Sequence, residues 1–140
     1  MTILRRKVVE MREFEAILDQ ARKSGELSWE NYRRLLAMLG EVFRKAWEAV
    51  KEGRVKKYVF KPSERVVWVV VGRHRDYTVL PSADFCTCDD FFFRVMKGEK
   101  RLCYHIVAQK LAEALGRFEV FEESDEMYSV LMREWMQPGG

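Results

Sequence analysis

Three cysteines and one histidine, set in two tight pairs, constrain this chain more than any other feature: Cys86-Thr87-Cys88, fourteen intervening residues, then Cys103-Tyr104-His105. Four soft or borderline donors in that pattern suit a tetrahedral ion such as zinc, with bonds of about 2.3 Å to sulfur and about 2.0 Å to nitrogen. In an extended segment residues i and i+2 point to one side, so Cys86 and Cys88 can converge on one ion if the chain kinks slightly. On a helix i and i+2 point apart. Cys103 is therefore expected just before a helix, with His105 in its first turn, where the partial positive charge of the helix N-terminus favours thiolate. Plain core thiols and a redox C-x-C pair are competing readings of the same residues. A catalytic zinc fits less well, because four protein ligands leave no position for water. Asp84, Asp89 and Asp90 are candidate acceptors for the histidine N–H, or competing ligands.

The periodicity of the chain places this constellation late in an α+β domain. Leu4, Val8, Met11, Phe14, Leu18 and Ala21 recur at helical spacing and end at Ser24-Gly25. Ser28 offers an N-cap to a second helix, whose stripe runs from Tyr32 through Leu35, Leu36, Leu39, Val42, Phe43, Ala46 and Trp47 to Val50 and stops at Gly53. The pattern then changes to VKKYVFK, RVVWVVV and YTVL, which predict a small three-stranded antiparallel sheet in a meander. DDFFFRVMKG reads as a short helix, with Phe91, Phe92 and Phe93 packing over the cysteines or offering a base-stacking platform. Tyr104 to Leu115 predicts a helix closed by Gly116. Ser124 begins a last helix carrying Tyr128, Leu131, Met132, Trp135 and Met136, a stripe for the core or for an interface. The expected organisation is one domain: a helical part over 1–53, strands over 54–81, the cysteine and histidine module over 82–116, and a C-terminal helix over 117–140.

At 140 residues and 48% hydrophobic content the chain can bury a core without disulfide staples, and an odd number of cysteines cannot pair completely. No apolar run approaches the roughly 20 residues that span a bilayer, and the charged start is unlike a signal peptide. We therefore expect a soluble, intracellular protein of the cytoplasm, nucleoid-associated when active, or nuclear in a eukaryote. The net charge of +3 conceals a division: +6 over residues 1–61, +1 over 62–116 and −4 over 117–140. Lys56, Lys57, Arg73, Arg75, Lys97, Lys100 and Arg101 are candidate DNA-backbone contacts; solvated faces with acidic neighbours are the alternative. His74 reads as an exposed turn residue. No G-x-x-x-x-G-K-[ST] loop and no nucleophilic triad is present, so no catalytic residue is assigned and the chain is not expected to be an enzyme.

Cys86-x-Cys88, x14, Cys103-x-His105-x-x-Ala108, after a β-hairpin and continuing into a helix, resembles the SWIM zinc finger. The trailing Ala108 resembles the SWIM-containing subunit family of the Shu recombination complex, and high Lys, Arg and Glu with one Asn and three Gln points to a thermophilic, archaeal-type relative. The resemblance implies one structural zinc ion held by Cys86, Cys88, Cys103 and His105, with Ala108 packing in the motif. It also implies a non-enzymatic role in homologous recombination and DNA repair, as a heteromer with a RecA-fold recombinase paralogue on single-stranded DNA. A stand-alone SWIM-type nucleic-acid-binding or regulatory protein is the alternative.

Overall fold

A computed structural model describes residues 3–81, 85–88 and 102–136. Three helices open the chain: α1 (Ile3–Ser24), α2 (Trp29–Leu39) and α3 (Glu41–Lys51). Phe14, Ile17, Leu18 and Ala21 form the buried stripe of α1. The Ser28 side chain caps α2 by accepting the Asn31 N–H at 3.1 Å, and buried Asn31 donates through Nδ2 to Gln20 Oε1 at 2.8 Å, tying α2 to α1. The single long helix expected after Ser28 is two helices. Gly40 breaks it at φ 58 and ψ −130, a conformation glycine takes without a Cβ penalty, and the apolar stripe then resumes around the bend.

The sheet has five strands rather than three, in the order β4-β3-β2-β1-β5: β1 (Val55–Lys61), β2 (Arg65–Val71), β3 (Asp76–Leu80), β4 (Phe85–Cys86) and β5 (Glu119–Ser124). The first four pair antiparallel, whereas β5 lies parallel to β1, Lys56 opposite Glu119 through Lys61 opposite Ser124. β5 falls in the stretch expected to lead straight into a helix. Its EVFEES sequence, mostly exposed, has the acidic look of a sheet edge and little β signal of its own. Lys56 pairs with Glu119, and Lys61 Nζ lies 4.0 Å from Glu122.

Helix α4 (Tyr104–Leu115) connects β4 at one edge to β5 at the other, so it must cross beneath the sheet. Eight of its twelve residues are buried. Left-handed Gly116 ends it, and β5 continues through a 3-10 turn (Asp125–Met127) into α5 (Tyr128–Trp135). Ser63, in the β1–β2 turn, is bonded to the Asp125 carboxylate by its N–H at 2.9 Å and its hydroxyl at 2.6 Å. No helix among the described residues is long and apolar enough to cross a membrane. The short helix expected in DDFFFRVMKG, with Phe91 to Phe93, lies outside the described residues.

The unbroken apolar run of β2 follows from cover on both faces of the sheet. Trp68 and Val70 join Val55, Val79 and the helices α1, α3 and α4 in the main core, while Val67 and Val69 join Phe60 and Trp135 on the other side. Trp135 is the buried residue of α5, and its ring meets Tyr58 at 4.8 Å between centroids. Trp135→Ala is expected to cost about 3 kcal/mol or more in chemical denaturation, the usual range for emptying a buried aromatic site. A loss below about 1 kcal/mol would mean that α5 does not cover this face.

Candidate metal centre

The chain reaches the site from two directions, each fixed by backbone pairing. Cys86 lies opposite Val79 at the end of β4, and cross-strand partners share a face, so its thiol is carried on the side of the main core. Thr87 prolongs the pairing: its N–H donates to the Thr78 carbonyl at 3.1 Å and its hydroxyl accepts the Thr78 N–H at 3.0 Å. Arg75 Nη2 reaches the Thr87 carbonyl at 3.3 Å. Cys86 and Cys88 thus flank a pinned residue. From the other side Cys103 occupies the extended N-cap position of α4, with φ −83 and ψ 161, and His105 stands in the first turn, the disposition their spacing requires.

The Sγ atoms of Cys86, Cys88 and Cys103 and a ring nitrogen of His105 all lie within 4.8 Å of one another. A tetrahedron with sulfur about 2.3 Å from its centre has edges of about 3.8 Å, so the cluster stands within about 1 Å of a closed coordination shell. All four residues are buried, and no disulfide joins the thiols. Tyr77 and Tyr104 hold the imidazole, with ring centroids 4.1 and 3.8 Å from it, and the Arg75 guanidinium lies 4.9 Å from the Tyr77 centroid.

Bare thiols and imidazole are poorly matched to this position. Hydrogen bonds from Cys103 and then Cys86 hold the Cys88 thiol ionised against its burial, with a smaller pull from nearby His105. Cys86 is driven far up by the bonds it gives to Cys103 and Cys88 and then by burial. For Cys103 the bond from Cys86 pulls down, but the bond to Cys88, burial and the Cys88 charge outweigh it and push the thiol up to about 12. Neither His105 nitrogen meets hydrogen-bond geometry with any described group, despite its closeness to Cys88. Buried polar atoms left in that state are costly. A divalent cation answers each of these deficits, and three sulfurs with one imidazole form a donor set that suits zinc. Held by Cys86, Cys88, Cys103 and His105, it would supply a cross-link between β4 and the start of α4.

Of the other expected site residues, Lys56 and Lys57 are engaged away from the cluster. Lys56 donates to the Gly53 carbonyl at 2.9 Å and pairs with Glu119, while the Lys57 ammonium lies over the Trp68 and Phe118 rings at 5.5 and 5.9 Å. Arg75 packs on the site itself, and Arg73 is exposed in the β2–β3 turn. Lys97, Lys100 and Arg101, like Asp84, Asp89 and Asp90, lie outside the described residues. Ala108 is fully buried one turn after His105, in the main core. Sequence reasoning passed over Thr87, Tyr77 and Tyr104, which shape the site; Thr87 and Tyr104 lie inside the two ligand pairs, whereas strand pairing alone brings Tyr77 there. It also passed over Gln109, buried on α4 with neither amide atom bonded among the described residues.

No family model matches the chain, and no solved structure matches it. Among curated proteins it is 29% identical over 125 residues to the "Zinc finger SWIM domain-containing protein 7 homolog" of Dictyostelium discoideum, covering 88% of this chain and 80% of that one. The human "Zinc finger SWIM domain-containing protein 7" is 32% identical over 82 residues, 56% of this chain and 59% of its own. These relatives support the SWIM zinc-finger family. A protein of Archaeoglobus fulgidus, named only "Uncharacterized protein", is 32% identical over 117 residues, covering 84% of this chain and 93% of that one. The Cys3His cluster thus sits in a SWIM-like chain and is compatible with one metal ion, with zinc the natural candidate.

Zinc at this site should be stoichiometric and local in effect. The purified chain is expected to carry one equivalent by elemental analysis, and Cys103→Ser or His105→Asn to abolish it. Chelation should raise hydrogen exchange over residues 85–88 and 102–108 while leaving the β1–β2 hairpin protected. Full occupancy in both variants would contradict the assignment.

Proposed function

We propose that this chain is a non-enzymatic, zinc-stabilised adaptor in homologous recombination and DNA repair. It pairs with a RecA-fold recombinase paralogue and acts with it on single-stranded DNA. The observation that carries the reading is the complete C-x-C, C-x-H-x-x-A pattern, with its four donors within 4.8 Å at the root of a buried helix. Two further features support it. All four candidate ligands are buried, which suits a structural ion better than one open to substrate. The acidic edge strand β5 and the helix after it expose Val120, Phe121, Met127 and Val130, apolar residues of the kind that a protein partner covers.

Purification of the tagged chain from its native source, followed by native mass measurement, tests the reading. A stoichiometric companion carrying a G-x-x-x-x-G-K-[ST] ATP site is expected. A chain that purifies alone and binds nucleic acid in a salt-sensitive way would favour a stand-alone SWIM-type protein instead.

A further inference from the structure

A cavity of about 410 Å³ opens on the outer side of the metal cluster. Its lining brings together residues from five places in the chain: Lys45 and Glu48 on α3, Arg54 just before β1, Arg73 and His74 in the β2–β3 turn, Tyr77 on β3 and Tyr104 at the start of α4. Three cations face one carboxylate. Arg54 is a fixed post at this wall, since Nη1 donates to the Val71 carbonyl at 3.0 Å and Nε lies 2.9 Å from the Glu52 carboxylate. Lys45 and Arg73 are exposed.

The tyrosines do not offer an open stacking platform. Tyr77 lies against both His105 and the Arg75 guanidinium, and it packs so closely on the turn that a Cβ at Gly72 would stand 2.6 Å from its Cε2. What the cavity presents is therefore positive charge rather than a slot for a base. Lys45, Arg54 and Arg73 bring three cations to the lining of one small volume, and the arginine fork is suited to phosphate oxygens.

We propose that this cavity binds a phosphate group, supplied by the backbone of a nucleic-acid strand that crosses the α3 and β2–β3 rim. The assignment rests on the nucleic-acid side of the function proposed above and gives it a location. Free phosphomonoesters share the chemistry and are the second source. Because recognition runs through phosphate and not through a base, binding is indifferent to sequence and falls with salt. Lys45 belongs to the Arg44-Lys45 doublet and Arg54 stands alone in the sequence; only the fold brings them to Arg73.

The test uses the zinc-loaded full chain and a fluorescent dT oligomer, with affinity measured by anisotropy across a salt series. The double reversal Lys45→Glu/Arg73→Glu should weaken binding at least tenfold and reduce the slope of log K against log salt by about 1.4, since each single-strand phosphate contact contributes about 0.7. Glu48→Gln should tighten binding. Lys23→Glu/Arg33→Glu, an equal change of charge on α1 and α2 outside the cavity lining, should have little effect. Thymidine monophosphate and inorganic phosphate are the competitors, and each should displace the oligomer only at millimolar concentration.

Equal losses from the two double reversals would overturn the cavity assignment, as would a wild-type chain that binds neither oligomer nor phosphate at low salt. An acidic peptide binding as tightly as the oligomer would overturn the phosphate assignment. Tight binding of the monophosphate without the strand would overturn the strand as the source. The adaptor reading is judged separately, by co-purification. A chain that purifies alone yet loses the oligomer through Lys45→Glu/Arg73→Glu would remove the recombinase partner and keep the cavity.

Discussion

The structure turns on one helix that must be buried along most of its length. Because β4 and β5 lie at opposite edges of the sheet, the connection between them has to cross its face, and α4 makes that crossing under cover of α1 and α3. A helix in this position cannot leave its N-terminus to water. Its N-cap and first turn carry Cys103 and His105 into the core against Cys86 and Cys88, and those polar groups need a countercharge there. A metal ion would meet the need at the point where the sheet edge and the helix join. The cross-link and the crossing are thus two aspects of one constraint.

The same crossing explains the division of charge along the chain. It returns the polypeptide beside β1, where an acidic strand lies parallel to a basic one and Lys56 and Lys61 meet Glu119 and Glu122. Exposed pairs of this kind contribute little stability each, roughly 0 to 1 kcal/mol, but like charges opposite one another would oppose the pairing. Part of the contrast between a basic first half and an acidic tail is accordingly internal to the sheet. Lys45, Arg54 and Arg73 lie apart from that pairing, around the cavity that Tyr77 and Tyr104 also line.

The parts of this arrangement legible in the sequence were those written in local patterns. Helical spacing exposed α1 and α4, Ser28 announced its cap, and the C-x-C and C-x-H spacings placed Cys103 before the helix and His105 within it. What could not be read depended on long-range pairing. β5 has an acidic, mostly exposed sequence whose strand character comes from lying beside β1, so nothing within EVFEES distinguishes it from a loop. The break at Gly40 was hidden because the apolar stripe of α2 and α3 continues across it. Lys56 and Lys57 look like free surface cations until Glu119 and the rings of Trp68 and Phe118 are placed beside them. Tyr77 and Tyr104 acquire meaning only when β3 and α4 bring both rings against His105.

The central claim is that Cys86, Cys88, Cys103 and His105 together hold one zinc ion at the root of α4. X-ray absorption at the zinc edge of the purified, zinc-loaded chain tests it most directly. The account predicts a four-coordinate centre with three sulfur neighbours at about 2.3 Å and one nitrogen at about 2.0 Å. A shell dominated by oxygen, or one with fewer than three sulfurs, would contradict it.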